Sequence, residues 1–210
     1  MIFDLWDTLA DWPLDESRAL QRRMAERLGL DPDGFAAVWQ ETYQLRQTGP
    51  IRDALAAVQA DGRGLEEVLE LRRAFTRAAL VPRPGAVETL RALRKRGYRL
   101  GLLSVCTEEV PALWPETEFA GLFDSTVFSC SVGLCKPDRR VFRLAADELE
   151  VEPAECLFVG DGANDELAGA ERAGMRAVLV LRPSQDEPYW EEARGWQPRV
   201  TSIREVLELC

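Results

Sequence analysis

An apolar run, Met1-Ile2-Phe3, ends in Asp4, and Asp7 and Thr8 follow within the next four positions. A buried strand that ends in a carboxylate is one way open α/β sheets present chemistry, because their ligands bind beyond the carboxyl ends of the strands. The plainer alternative is an aspartate that caps a helix or closes a turn. Two later apolar runs also end in polar groups, one at Ser104 and one at Asp161. Between them Lys136 stands in the run Gly133-Leu134-Cys135-Lys136-Pro137-Asp138, and a glycine turn after Asp161 leads to Asp165. Strand ends of a parallel sheet share one edge, so carboxylates from two of them can meet there. With no histidine in the chain, an all-oxygen set suits a hard cation, Mg²⁺ first. A serine and a lysine beside it suit an anion. Lys136 also stands out by type: the chain has 26 Lys plus Arg, and only Lys95 and Lys136 are lysines. A compact point charge was selected where arginine is the habit; the alternative is a surface lysine in a turn.

The missing histidine removes Ser-His-Asp and Cys-His nucleophilic chemistry. A formal net charge of −10 argues against nucleic acid or an anionic membrane as partner. Hydrophobic content of 46% and charged content of 30% are those of an ordinary soluble domain. No apolar run approaches the roughly 18 residues of a membrane span, and no signal-peptide pattern is seen, so a cytoplasmic location is expected. The five cysteines (Cys106, Cys130, Cys135, Cys156, Cys210) show no CxxC spacing, and Cys156 reads as a packed core thiol. Oligomeric state is not legible.

The elements that must position these groups fall into two styles. Helical patterns cover residues 15–28, 32–47, 51–59 and 65–80, broken at Gly29, at Gly49-Pro50 and at Asp61-Gly62, with no strand-like alternation. From Pro82 onward helix and strand alternate: helices over 86–96, 139–149 and 166–173, strands over 99–104, 126–129, 156–160 and 177–181. The tail, with Pro183, Pro188 and Pro198, reads as irregular until a helix at 203–209. The expected fold is α/β, a doubly wound parallel, Rossmann-like sheet with a helical cap inserted after the first strand. Core is assigned to residues 1–13 and 82–210, cap to 14–81. Only three residues precede Asp4, short for a buried central strand, which leaves open whether the sheet tolerates it or the start is truncated.

Taken together, these residues resemble the haloacid dehalogenase superfamily in its capped form. Residues 4–9 are similar to its first motif, Ser104 to its second, Lys136-Pro137-Asp138 to its third and residues 160–165 to its fourth. The resemblance implies that Asp4 is a nucleophile forming a covalent aspartyl intermediate. It implies Mg²⁺ held by Asp4, the backbone carbonyl of Trp6 and Asp161, with Asp165 in support and Glu166 as its alternative. Ser104 and Lys136 would bind phosphoryl oxygens, and Thr8 would orient the first loop. The implied partner is a small-molecule phosphate ester.

One position departs from the pattern. Phosphatases of this family carry an acid/base aspartate two residues after the nucleophile, and here Trp6 stands there. Asp7 could replace it only if the turn re-aims its side chain. Dehalogenases of the superfamily also carry an aromatic residue there, because a halide leaves without a proton, but they do not require the carboxylate set around Asp161. Three readings follow: a slow Mg²⁺-dependent phosphatase, a 2-haloacid dehalogenase, or a ligand-binding member whose hydrolysis has decayed. The cap segment has no lysine, which disfavours Schiff-base cleavage of carbon–phosphorus bonds. Arg46 and Arg52, flanking the Gly49-Pro50 break, are candidates for a substrate anion, against the plainer reading of solvated helix-end arginines.

Overall fold

The computed structural model describes residues 1–58, 62–182 and 185–209. Gln59, Asp61, Pro183 and Cys210, named above as helix end, break, tail proline and thiol, lie outside the described residues. Strand β1 (Ile2–Phe3) is followed by helices α1 (Leu14–Leu28), α2 (Pro32–Glu41), α3 (Tyr43–Thr48), α4 (Ile51–Val58), α5 (Leu65–Ala79) and α6 (Ala86–Lys95). Then come β2 (Gly101–Ser104), α7 (Glu109–Leu113), β3 (Ser125–Phe128), α8 (Ser129–Val132) and α9 (Arg139–Glu148). The chain continues through β4 (Leu157–Gly160), α10 (Glu166–Ala173), β5 (Arg176–Val180) and β6 (Arg199–Val200), and ends in a 3₁₀ helix at Ile203–Glu208.

The six strands form one parallel sheet in the order β3-β2-β1-β4-β5-β6. Successive connections run to one side of β1 and then to the other, which puts the topological switch point, and the ligand crevice with it, between β1 and β4. Although β1 has only two residues, it is paired on both sides: Phe3 is in register with Leu102 and with Val159, and Asp4 N donates to Val159 O at 2.9 Å. Residue alternation then builds two apolar layers. Phe3, Leu102, Val159 and Val178 face one layer, while Ile2, Leu103, Phe158 and Leu179 face the other.

The inserted helices have a separate apolar cluster built on Met24, Phe35, Trp39, Ile51, Leu55 and Val68. Where one helix was expected over 32–47, two form. Thr42 Oγ1 donates back to Trp39 O at 3.1 Å, and this local bond competes with the helix ladder. The outgoing and returning chains are stitched together, with Ala10 bridged to Pro82 and Arg83 N donating to Leu9 O at 2.7 Å. One further expectation is corrected: the tail contains β6, too short for its pattern to show, and the helix expected to close the chain is a 3₁₀ helix. Among the described residues no helix is long and apolar enough to cross a membrane.

Candidate active site

At the switch point β1 delivers Asp4, β4 delivers Asp161, and the first turn of α10 delivers Glu166. All three carboxylates are buried, and each offers an oxygen such that these atoms lie within 4.8 Å of one another. Lys136 enters between them from the loop before α9. Its Nζ donates to Asp4 Oδ1 at 2.5 Å and also to Glu166 Oε2. Burial pulls the Lys136 ammonium down, but the Asp4 and Glu166 carboxylates more than offset this and hold it above the usual lysine range. Burial pushes Glu166 well above the ordinary glutamate value, opposed by Lys136. Burial and then the charge of Asp4 push Asp161 up to about 6. Three buried carboxylates thus face one ammonium. Fully ionised, they carry an excess of negative charge that a low-dielectric site does not tolerate without a counter-charge. A hard divalent cation suits that excess and the all-oxygen donor set.

Local geometry explains how the sequence builds this. Leu5 O accepts from Thr8 N, Leu9 N and Ala10 N at 3.3, 2.8 and 3.0 Å, winding the first loop tightly beyond Asp4, with Asp7 in the left-handed region at φ 58°. After β4 the chain turns through Gly162 at φ 91° and then through Asn164 and Asp165 at φ 54° and 53°, a conformation that asparagine and aspartate tolerate better than most residues. Glu166 Oε1 accepts from Gly162 N at 3.0 Å. A Cβ on Gly160 would lie 2.1 Å from that same oxygen, so Glu166 reaches the site only across a glycine.

The remaining candidates divide. Among the described residues Ser104 Oγ and Thr8 Oγ1 are buried with no oxygen or nitrogen partner; the serine hydroxyl stands at the end of β2 close to the Cys106 thiol. Trp6, named for its backbone carbonyl, lies in the turn two residues beyond Asp4. Its ring packs edge-on to Trp12 with centroids 4.9 Å apart, and Trp12 in turn meets Phe75 of α5 at 5.4 Å. Asp165 is not in the carboxylate cluster. Its Oδ2 pairs with Arg172 at 2.9 Å on a half-exposed surface, and Glu166 occupies the inner position.

Arg52 is likewise outside the site, exposed and paired with Glu66 at 2.6 Å. Arg46 is buried rather than solvated. Its guanidinium lies 4.3 Å from the Trp39 ring and 5.1 Å from the Tyr43 ring, and among the described residues it has no carboxylate partner. Burial and then the neighbouring Arg72 lower it to about 10. The Tyr43 hydroxyl lies close enough to Asn164 and Lys136 for both to act on its ionisation, although burial outweighs them and raises it, so this face of the cap overlies the site.

Three residues went unread in the sequence. Arg182 Nη2 donates to Asp7 Oδ2 at 2.5 Å, Arg83 Nη1 donates to Asp7 O, and Trp190 Nε1 donates to Asp161 Oδ2 at 2.8 Å. They lie outside any motif, and arginine is the common cation of this chain. Asp7 is therefore held by Arg182 and by Trp12 N, which donates to its Oδ1 at 3.1 Å; burial raises its carboxyl above the ordinary range despite these partners.

Known proteins resemble the chain in sequence and in fold. A phosphoserine phosphatase from Thermus thermophilus is 38% identical over 170 residues, covering 76% of this chain and 65% of that enzyme, so the chain spans under two thirds of that relative. The (S)-2-haloacid dehalogenase 4A of Burkholderia cepacia is 26% identical over 222 residues, covering 99% of this chain and 93% of that one. The crystal structure of an HAD phosphatase from Thermococcus onnurineus shares the fold, with a TM-score of 0.71 at 22% identity, over 99% of this chain and 95% of the other. The family model described as haloacid dehalogenase-like hydrolase matches residues 1–174, all four motifs included. With the switch-point carboxylates and Lys136 in place, the chain belongs to the haloacid dehalogenase-like hydrolase family.

Proposed function

We propose that the protein is a Mg²⁺-dependent phosphatase acting on a small phosphorylated metabolite through an aspartyl-phosphate on Asp4. The observation that carries this reading is the buried set Asp4, Asp161 and Glu166 around Lys136. A halide-releasing enzyme has no need of the two extra carboxylates. In the reading, an Asp4 carboxylate oxygen bonds to phosphorus as the ester P–O bond breaks, and the ester oxygen leaves with the electron pair as an oxyanion that takes its proton from water. Water then cleaves the acyl phosphate, returning the carboxylate and releasing inorganic phosphate. Lys136 Nζ and Ser104 Oγ donate to the phosphoryl oxygens, where charge is spread in the transition state. Asp4, Asp161, Glu166 and the Trp6 carbonyl would hold Mg²⁺, which when bound supplies positive charge against those same oxygens. Thr8 shapes the turn behind Asp4. Arg46 is the cap residue proposed to meet a second anionic group of the substrate, because it is a buried cation whose partners among the described residues are the neutral Trp39 carbonyl and Thr42 hydroxyl rather than a carboxylate.

Trp6 favours a second reading, in which Asp4 attacks carbon of a 2-haloacid and no proton donor is required. One assay separates the two: release of p-nitrophenol from its phosphate with Mg²⁺ or with EDTA, beside chloride release from 2-chloropropionate. The phosphatase reading expects turnover that needs Mg²⁺ and falls to background in Asp4→Asn. Chloride release insensitive to EDTA replaces it with the dehalogenase reading. Tight phosphate-ester binding without turnover replaces it with the ligand-binding one.

A further inference from the structure

The segment between β5 and β6 contributes nothing to the four motifs, yet it bonds to both acidic loops. Arg182 holds Asp7 and Trp190 holds Asp161. Tyr189 links the two: the Arg182 guanidinium lies 4.8 Å from its ring, and its ring meets Trp190 edge-on at 5.0 Å. The segment is seated closely, since a Cβ on Gly162 would lie 2.4 Å from Ala193 Cβ.

The carboxylates of the site have unequal support. Lys136 bonds Asp4 and Glu166 but not Asp161. Asp161 Oδ1 accepts from Ala163 N at 3.1 Å, within its own turn. The side chain that fixes its other oxygen is Trp190. An indole N–H donates and cannot accept, so it orients a carboxylate without competing as a ligand, and each oxygen keeps a lone pair for a cation. Its ring also helps to exclude water from an already buried group. An outer partner of this kind fixes ligand orientation, and its loss typically weakens metal affinity about 10- to 100-fold.

We propose that Trp190 is a positioning residue whose indole N–H sets the Asp161 carboxylate in its cation-binding orientation and thereby tunes cation affinity. The proposal rests on the cation reading of the site given above. Its test is Mn²⁺ titration of the full chain, followed by water-proton relaxation, in the wild type, Trp190→Phe and Trp196→Phe. Trp196 lies in the same segment, but its indole N–H faces Ala177 O at 3.5 Å. Trp190→Phe is expected to bind Mn²⁺ about tenfold more weakly, and Trp196→Phe as the wild type does.

Wild-type affinity in Trp190→Phe overturns the proposal, as does an equal loss in Trp196→Phe, which marks general loosening of the segment. A wild type that binds no Mn²⁺ overturns the cation reading itself, a distinct result. A second readout needs no variant. Mg²⁺ is expected to shift an indole N–H resonance of the wild type, because the charge on its acceptor is then shared. An indole spectrum unmoved by saturating Mg²⁺ overturns the proposal as well.

Discussion

At the scale of single residues, the first loop offers the proposed phosphatase chemistry no free proton donor. Trp6 is committed to the aromatic contacts with Trp12 that lead on to Phe75. Asp7, the nearest carboxylate, is committed to Arg182 and the Trp12 N–H. Neither is free to protonate a leaving alkoxide, and a positioned acid/base is typically worth about 10²–10⁴-fold in rate. Turnover is therefore expected to depend steeply on the leaving group: p-nitrophenyl phosphate, whose p-nitrophenolate departs without a proton, is expected to be hydrolysed much faster than an alkyl ester such as glycerol phosphate. Trp6→Asp should raise the alkyl rate by about 10²-fold and leave the nitrophenyl rate nearly unchanged. The two rates, measured on both proteins at saturating Mg²⁺, check this; equal gains on both esters would mean that the aromatic ring restricts access instead. The same variant gives up the Trp12 ring contact, worth about 1 kcal/mol, and a fall in the urea midpoint should report it.

At the scale of elements, β4 and α10 act as one unit, because Glu166 folds back over Gly160. Gly160→Ala places a methyl where Glu166 Oε1 now lies, and also 2.9 Å from Phe158 Cε1. Overpacking of this kind costs about 1–3 kcal/mol. It should also push Glu166 away from Lys136, so the Mg²⁺ concentration for half-maximal activity should rise while Asp4 stays in place. Chemical denaturation and Mg²⁺ titration test the two halves separately. This coupling also shows what could be read from the chain. Strand ends carrying Asp4, Ser104 and Asp161 were legible, because apolar runs stopping at polar residues report a buried sheet and its ligand edge. Which of Asp165 and Glu166 turns inward was not legible. That choice is made by two successive left-handed residues, Asn164 and Asp165, which rotate the next side chain into the site. Trp190 and β6 were hidden for a different reason: a proline-flanked tail has no periodicity, and the bonds that tie it to the site, Arg182 to Asp7 and Trp190 to Asp161, are long-range.

At the scale of the whole molecule, the cap is joined to the core by charge as well as by its stitched entry and exit chains. Arg72 of α5 donates through Nε to Glu109 Oε1 at 2.6 Å and through Nη2 to Thr107 Oγ1 at 3.1 Å, and the ion pair is nearly buried at 10% and 8% side-chain exposure. Thr107 and Glu109 lie just beyond Ser104, so this contact ties the cap to the loop that follows the β2 strand end. Burial alone would raise the Glu109 carboxyl, but the Arg72 charge and its hydrogen bonds outweigh that and hold it below the ordinary glutamate value of 4.5. A carboxyl depressed by folding contributes stability above its unfolded pKa and loses it as pH falls through its folded one. The cap–core contact should therefore hold at neutral pH and weaken progressively below about pH 4.5. Glu109→Gln keeps the shape but not the charge, and should cost about 2 kcal/mol at pH 7. Because the variant has no carboxyl to protonate, its difference from the wild type should shrink as pH falls below that value. Urea denaturation of both proteins at pH 7 and pH 3.5 measures it, and a difference that stays constant with pH would separate the cap's attachment from the charge of this pair.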